Sequence, residues 1–219
     1  MSAIATFIEH DRVHLVADAC FYDETGTLTA IEPKVWPIPR AKAIFSSRGA
    51  RWAFEAFEIA CECIEYDGFD EFVEQLDDIF AAFDLLMGGL LGEIVIAGWS
   101  DREGVGRVLF RKTYHRDGDD CEPGLIYVLG KRSGFGVDRL DLGDDWSEER
   151  AVAAFQRARD GLEDIRYGLG PEPVLRHAVG GYVGHAAVGP DGISGGIIHL
   201  WPEDEVDRRI EPASLRDAA

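Results

Sequence analysis

Basic residues are scarce in this chain: 22 Lys and Arg stand against 41 Asp and Glu, for a formal net charge of −19. Such a surface repels phosphate backbones and anionic headgroups, so neither nucleic acid nor a membrane surface is an expected partner. The acids are spread along the chain, which reads as a solvated surface rather than a binding tail. Long apolar runs are lacking too. The longest, LLMGGLLGEIVIAGW (residues 85–99), is interrupted by four glycines and Glu93, too short and broken for a bilayer span. The first residues carry neither a basic n-region nor a long apolar h-region, so no signal peptide is expected. Cysteines 20, 61, 63 and 121 form no disulfide-like framework and are expected as reduced thiols in the cytoplasm. Cys61 and Cys63 sit two apart in a helical pattern and point to different faces, so they make a poor metal pair. No GxGxxG or GxxxxGK[ST] loop occurs, which sets aside dinucleotide and P-loop chemistry. No cofactor or metal is expected.

What is present suits one ample core: 219 residues, 46% hydrophobic and 11% aromatic. Residues 3–17 read as two short strands about a turn at residues 10–12, with Val13, Leu15 and Ala17 alternating against His14 and Val16. Residues 22–30 read as a polar turn region, and PKVWPIP (33–39) as a proline-punctuated extended segment before a strand at 41–47. An amphipathic helix follows over 51–66 and a second over about 70–87, with Val73, Leu76, Ile79, Phe80 and Phe83 on its inner face. EIVIAGW, GRVLFRKTYH and GLIYVLG read as further strands. Ser147, followed by Glu148 and Glu149, is a good N-cap for a third helix running to about residue 167. The end reads as a hairpin about residues 189–192, and residues 203–219 as a charged tail beyond a single domain at 1–202. Strands, two helices, strands, a helix and strands again indicate an α+β sandwich of antiparallel sheets. Among the histidines, His10 and His14 flank the first turn. His185 and His199 lie on the two hairpin arms without facing each other. All are expected as half-exposed strand or turn residues. Trp36, Trp99 and Trp201 are expected as core or subunit-contact aromatics.

The segment DRVHLVAD ends at Asp18, and EPKVWPI holds Lys34. Counting back sixteen residues from the first and thirty-two from the second lands both times on Ser2. This spacing, with the element order, resembles the proteasome β-subunit branch of the N-terminal nucleophile (Ntn) hydrolases, whose mature chain begins with its nucleophile. The motif support lies in about the first fifty residues. The resemblance implies a four-layer αββα sandwich of two antiparallel sheets, cleavage of a peptide or amide bond, a homo-oligomer stacked or ringed, and an unfoldase as partner. It implies Ser2 as nucleophile after loss of Met1, Lys34 as electrostatic tuner, Asp18 as its anchor and Gly49, or its neighbour Arg48, as oxyanion donor. Ser133-Gly134 matches a weaker Ser-Gly signal before the third helix. Arg176 and Val179 stand where the family commonly has an Asp and a Ser before a Gly-Gly, here Gly180-Gly181. That departure leaves a second expectation open: a catalytically inactive subunit kept as an assembly or scaffold protein.

The chemistry gives those positions a reason. A serine hydroxyl needs an adjacent base, and an α-amino group with a pKa of about 7.7–8.0 is one on the same residue. A nearby ammonium favours both the free amine and the alkoxide.

Overall fold

The computed structural model describes residues 2–115, 120–137, 140, 142–166 and 172–213. Two five-stranded antiparallel sheets form its centre. The first takes the order β10 (Arg132–Phe135), β1 (Ile4–Ile8), β2 (Val13–Asp18), β13 (Tyr182–Gly189) and β14 (Gly192–Leu200). The second takes the order β5 (Trp36–Ile38), β6 (Ala43–Gly49), β7 (Gly92–Ser100), β8 (Val105–Lys112) and β9 (Tyr127–Val128). Two small ribbons complete the strands: β3 (Cys20–Tyr22) with β4 (Leu28–Ile31), and β11 (Glu163–Asp164) with β12 (Leu175–Arg176).

Period-two alternation decides which core each side chain joins. Val13, Leu15 and Ala17 of β2 meet Ile44, Val95 and Val108 of the second sheet, making a core between the sheets. Val16 points the other way and packs with Ala151, Ala154 and Phe155 of α4 (Glu148–Asp160). On the far face of the second sheet, Phe45, Ile94 and Ile96 pack against α1 (Ala53–Glu62), α2 (Gly68–Glu74) and α3 (Leu76–Met87). The three cores stack helices, sheet, sheet and helix, an antiparallel α+β arrangement.

Local chemistry accounts for the departures from expectation. The second helix is two segments, broken at Gln75 (φ −98, ψ 2). Phe69 of the first lies so close over Gly98 that a Cβ there would stand 2.0 Å from its ring, while Ile79 and Phe83 anchor the second segment separately. Ser147 does cap α4, accepting from the Arg150 N–H, but the helix stops at Asp160 because Gly161 turns extended. The turn expected within 22–30 spans residues 23–27, and its flanks pair as the β3–β4 ribbon. Asp23 Oδ1 accepts from Thr25 N, Thr25 Oγ1 and Thr27 N and so closes the loop between its strands.

Residues 203–213 are not a free tail. Asp204 clasps the buried Arg159 guanidinium through both oxygens at 2.8 and 2.7 Å and accepts the Gly181 N–H at 2.6 Å. Glu203 adds a third contact at 3.0 Å, and Ile210 is buried beside Leu28. Asp204→Ala strands a buried cation with only part of its charge answered. Urea unfolding of that variant is expected to show a loss of about 3–5 kcal/mol, whereas a free tail would show none.

Candidate functional site

β1 and β2 are neighbours in antiparallel register, with Ile4 opposite Ala17. The pairing continues one step further, the Asp18 N–H donating to the Ala3 carbonyl at 3.2 Å. The last residue of β2 therefore comes beside the first residues of the chain. Asp18 uses the position fully. Its Oδ1 accepts the Ala3 N–H at 2.9 Å, and its Oδ2 accepts Lys34 Nζ at 3.2 Å. One carboxylate thus ties both the peptide that follows Ser2 and the lysine.

The Asp18 and Lys34 side chains are completely buried. A buried ion pair persists only when its remaining hydrogen-bonding capacity is filled. Here Cys20 fills it. Its N–H and thiol donate to Asp18 Oδ2 at 3.2 and 2.9 Å, and its carbonyl accepts from Lys34 Nζ. Burial pushes the Cys20 thiol well above its usual range, and the charge of Asp18 adds to the effect, so the thiol stays a donor. The ammonium also lies 4.7 Å from the centre of the Phe21 ring. Ser2 is itself buried.

Gly136 explains how tightly the start of β1 is enclosed. It has φ +89, and a Cβ on it would fall 1.9 Å from the Ser2 carbonyl oxygen and 2.8 Å from Arg48 Nε. Only glycine meets both the backbone angle and the close approach. Gly136→Ala is expected to cost about 1–3 kcal/mol in strain and to shift Ser2. Thermal unfolding should show the first effect, and the turnover of whatever reaction Ser2 supports should show the second.

Gly49 ends β6 with φ +102, and a Cβ on it would strike the Leu91 carbonyl. Ladder alternation decides where its N–H points. Trp99 N donates to Lys42 O and Ala50 N to Leu91 O, so even-numbered β6 residues bond to β7. The Gly49 N–H therefore faces the side of β5, and β5 stops opposite Phe45. Arg48 spends its backbone on β7, so Gly49 is the better placed of the two expected donors. Gly49 also borders a cavity of about 380 Å³ with Tyr22, Ala50, Leu91 and Tyr114.

Ser133 lies elsewhere. It pairs with Thr6 along β1, and the register sets Phe135 opposite Ile4, so Gly136 rather than Ser133 reaches the Ser2 end. Arg176 is on β12 and donates to Thr25 O, while Val179 is fully buried in the core beneath α4. The structure thus joins Asp18 to Lys34 and to the peptide that follows Ser2, brings Arg48 toward the Ser2 carbonyl beside Gly136, and keeps Ser133 apart. It also ties Arg48 to Glu93 and, through it, to Tyr114, contacts that sequence reasoning did not name. Arg48 Nη1 donates to Glu93 Oε2 at 2.5 Å, and the Tyr114 hydroxyl donates to Glu93 Oε1. Their signal was Glu93, the lone charge within an apolar run and opposite Arg48 in register.

No family model and no curated protein matches this chain. Geometry has to carry the functional reading. Among the described residues no group of three His, Cys, Asp or Glu side chains could hold a metal ion, and no helix is long and apolar enough to cross a membrane.

Proposed function

We propose that the chain is a proteasome β-like Ntn hydrolase that cleaves peptide or amide bonds through Ser2. The observation that carries this reading is the buried Asp18 carboxylate, which holds the Ala3 N–H with one oxygen and Lys34 Nζ with the other. An ordinary structural ion pair has no need to be joined to the residue after a candidate nucleophile. The helix–sheet–sheet–helix stacking supports the same reading.

The chemistry requires removal of Met1, because a peptide-bonded Ser2 nitrogen has no basic lone pair. The free Ser2 amine then takes the Oγ proton, directly or through one water, as Oγ adds to the substrate carbonyl carbon. Charge develops on the carbonyl oxygen, for which the Gly49 N–H is the donor; such a donor contributes roughly 3–4 kcal/mol. Collapse breaks the C–N bond, the ammonium returns the proton to the leaving amine, and an ester on Ser2 remains. Water, deprotonated by the same amine, releases the acid. Lys34 supplies positive charge near these steps and Asp18 fixes its position. A panel of fluorogenic peptide amides tests the proposal: release of fluorophore by the Met1-free protein is expected, and its absence across the panel would count against peptide cleavage.

The second reading, an assembly subunit without catalysis, shares one supporting observation with the first. Trp52, Leu85, Leu86, Leu90 and Leu91 are exposed at one end of the outer helices, and Trp52 Nε1 donates to Leu86 O. Such a surface suits self-association, which both readings expect.

A further inference from the structure

A second polar cluster lies on the α4 side of the first sheet. His14 of β2 is almost wholly buried, yet both of its ring nitrogens are engaged. Nε2 is 3.0 Å from Glu9 Oε2, and Nδ1 is 2.9 Å from His185 Nε2 on β13. The Trp146 ring stacks on both imidazoles, at 4.1 Å from His14 and 4.8 Å from His185. The cluster borders a cavity of about 640 Å³ that reaches Glu148 at the start of α4 and Ser194 on β14.

The proton positions follow from the partners. An ionised Glu9 only accepts, so His14 carries its proton on Nε2 and presents a lone pair at Nδ1. His185 must then donate from Nε2, which leaves its Nδ1 as a lone pair with no protein partner among the described residues. The wire runs from Glu9 through His14 to His185 and ends in an acceptor. Two imidazole nitrogens that share one proton cannot both ligate an ion, which argues against a metal. The charges around the cavity select the donor. Arg12 is answered by Asp11 at 2.8 Å, so Glu9 and Glu148 leave the walls net negative.

We propose that this cavity is a second binding site, taking a small ligand with a primary ammonium group whose N–H is accepted by His185 Nδ1. The site does not depend on the reading of Ser2. Its pairing partner for His185 is Val16, and Asp18 pairs instead with Val183. Acid should switch the site off. A proton entering at His185 turns Nδ1 into an N–H donor, and the added charge is shared along the wire toward Glu9. Burial holds both histidines below their ordinary range, and for His185, with His14 close by, to about 4. Asp11, Arg12, Glu9 and Glu148 are the other charged groups facing this end of the cavity.

Calorimetric titration of the full chain with n-butylammonium at pH 7.5 is the test, with tetramethylammonium as an equally charged probe that has no N–H. Binding of the first at least tenfold tighter than the second is expected. It should weaken at least tenfold in His185→Leu, and about twofold at pH 4, where roughly half of the His185 rings carry the added proton. Glu9→Gln, which removes a charge and frees the tautomer, should weaken it several-fold, and serves if His185→Leu does not fold. Equal binding of the two probes would mean general attraction to surface acids and would overturn the proposal. So would no binding at millimolar n-butylammonium, or unchanged binding in the folded variants.

Discussion

Ser2→Ala is expected to abolish hydrolysis while the fold stays intact. Where nucleophile and base act as a unit, losing the nucleophile costs roughly 10⁴–10⁶-fold in turnover. Alanine keeps the amine and fits the same buried space, so unfolding should move by no more than about 1 kcal/mol. The Asp18 contact to the Ala3 N–H is a backbone contact and survives the change. Ser2→Thr, which retains a hydroxyl on the same carbon, should preserve measurable activity. Fluorogenic amide turnover beside urea unfolding separates the effects. Equal activity in wild type and Ser2→Ala would remove Ser2 from the chemistry and favour the assembly reading.

Asp18→Ala carries the second large effect, on stability and activity together. The change leaves the Lys34 ammonium buried with the Cys20 carbonyl and the Phe21 ring as its remaining partners. The Ala3 and Cys20 N–H groups lose their acceptor as well. Breaking a buried pair on one side costs about 3–5 kcal/mol, a fall in Tm on the order of 10 °C for a domain of this size. Adding Lys34→Met should recover part of that stability, because the stranded charge is removed, but none of the activity. The double mutant is thus expected to be more stable than Asp18→Ala alone, a coupling that a thermal-unfolding cycle reads directly. Simple addition of the two single effects would show that the residues do not act as a pair.

Much of this arrangement was legible in the chain because it rests on spacing and periodicity. The alternation in VHLVAD gives β2 its two faces, and the offsets that tie Asp18 and Lys34 to one point of the chain anticipate their buried contact. The N-cap at Ser147 was equally plain. Where the reading failed, non-local contacts decided. Residues 203–213 look like a charged tail until Asp204 and Glu203 are seen to answer Arg159, a buried cation far away in sequence. The break at Gln75 depends on Phe69 settling over Gly98, which no helical period reveals. Ser133 shares a dipeptide with the resemblance, yet strand register places it opposite Thr6. Cys20 reads only as a reduced thiol, and its role as a donor to Asp18 needs the turn after β2. The histidines of the first turn and last hairpin read as half-exposed strand or turn residues, because sequence distance hides that β2 and β13 are neighbours.

The central claim is that Ser2 is a freed amino-terminal nucleophile. Intact-mass spectrometry of the purified, folded protein, before and after incubation with a peptidyl β-lactone, tests it most directly. A mass lower by one methionine residue, followed by a single acyl adduct that maps to Ser2 and is absent from Ser2→Ala, is the expected result. Met1 retained on the folded protein, with no adduct at Ser2, would contradict it.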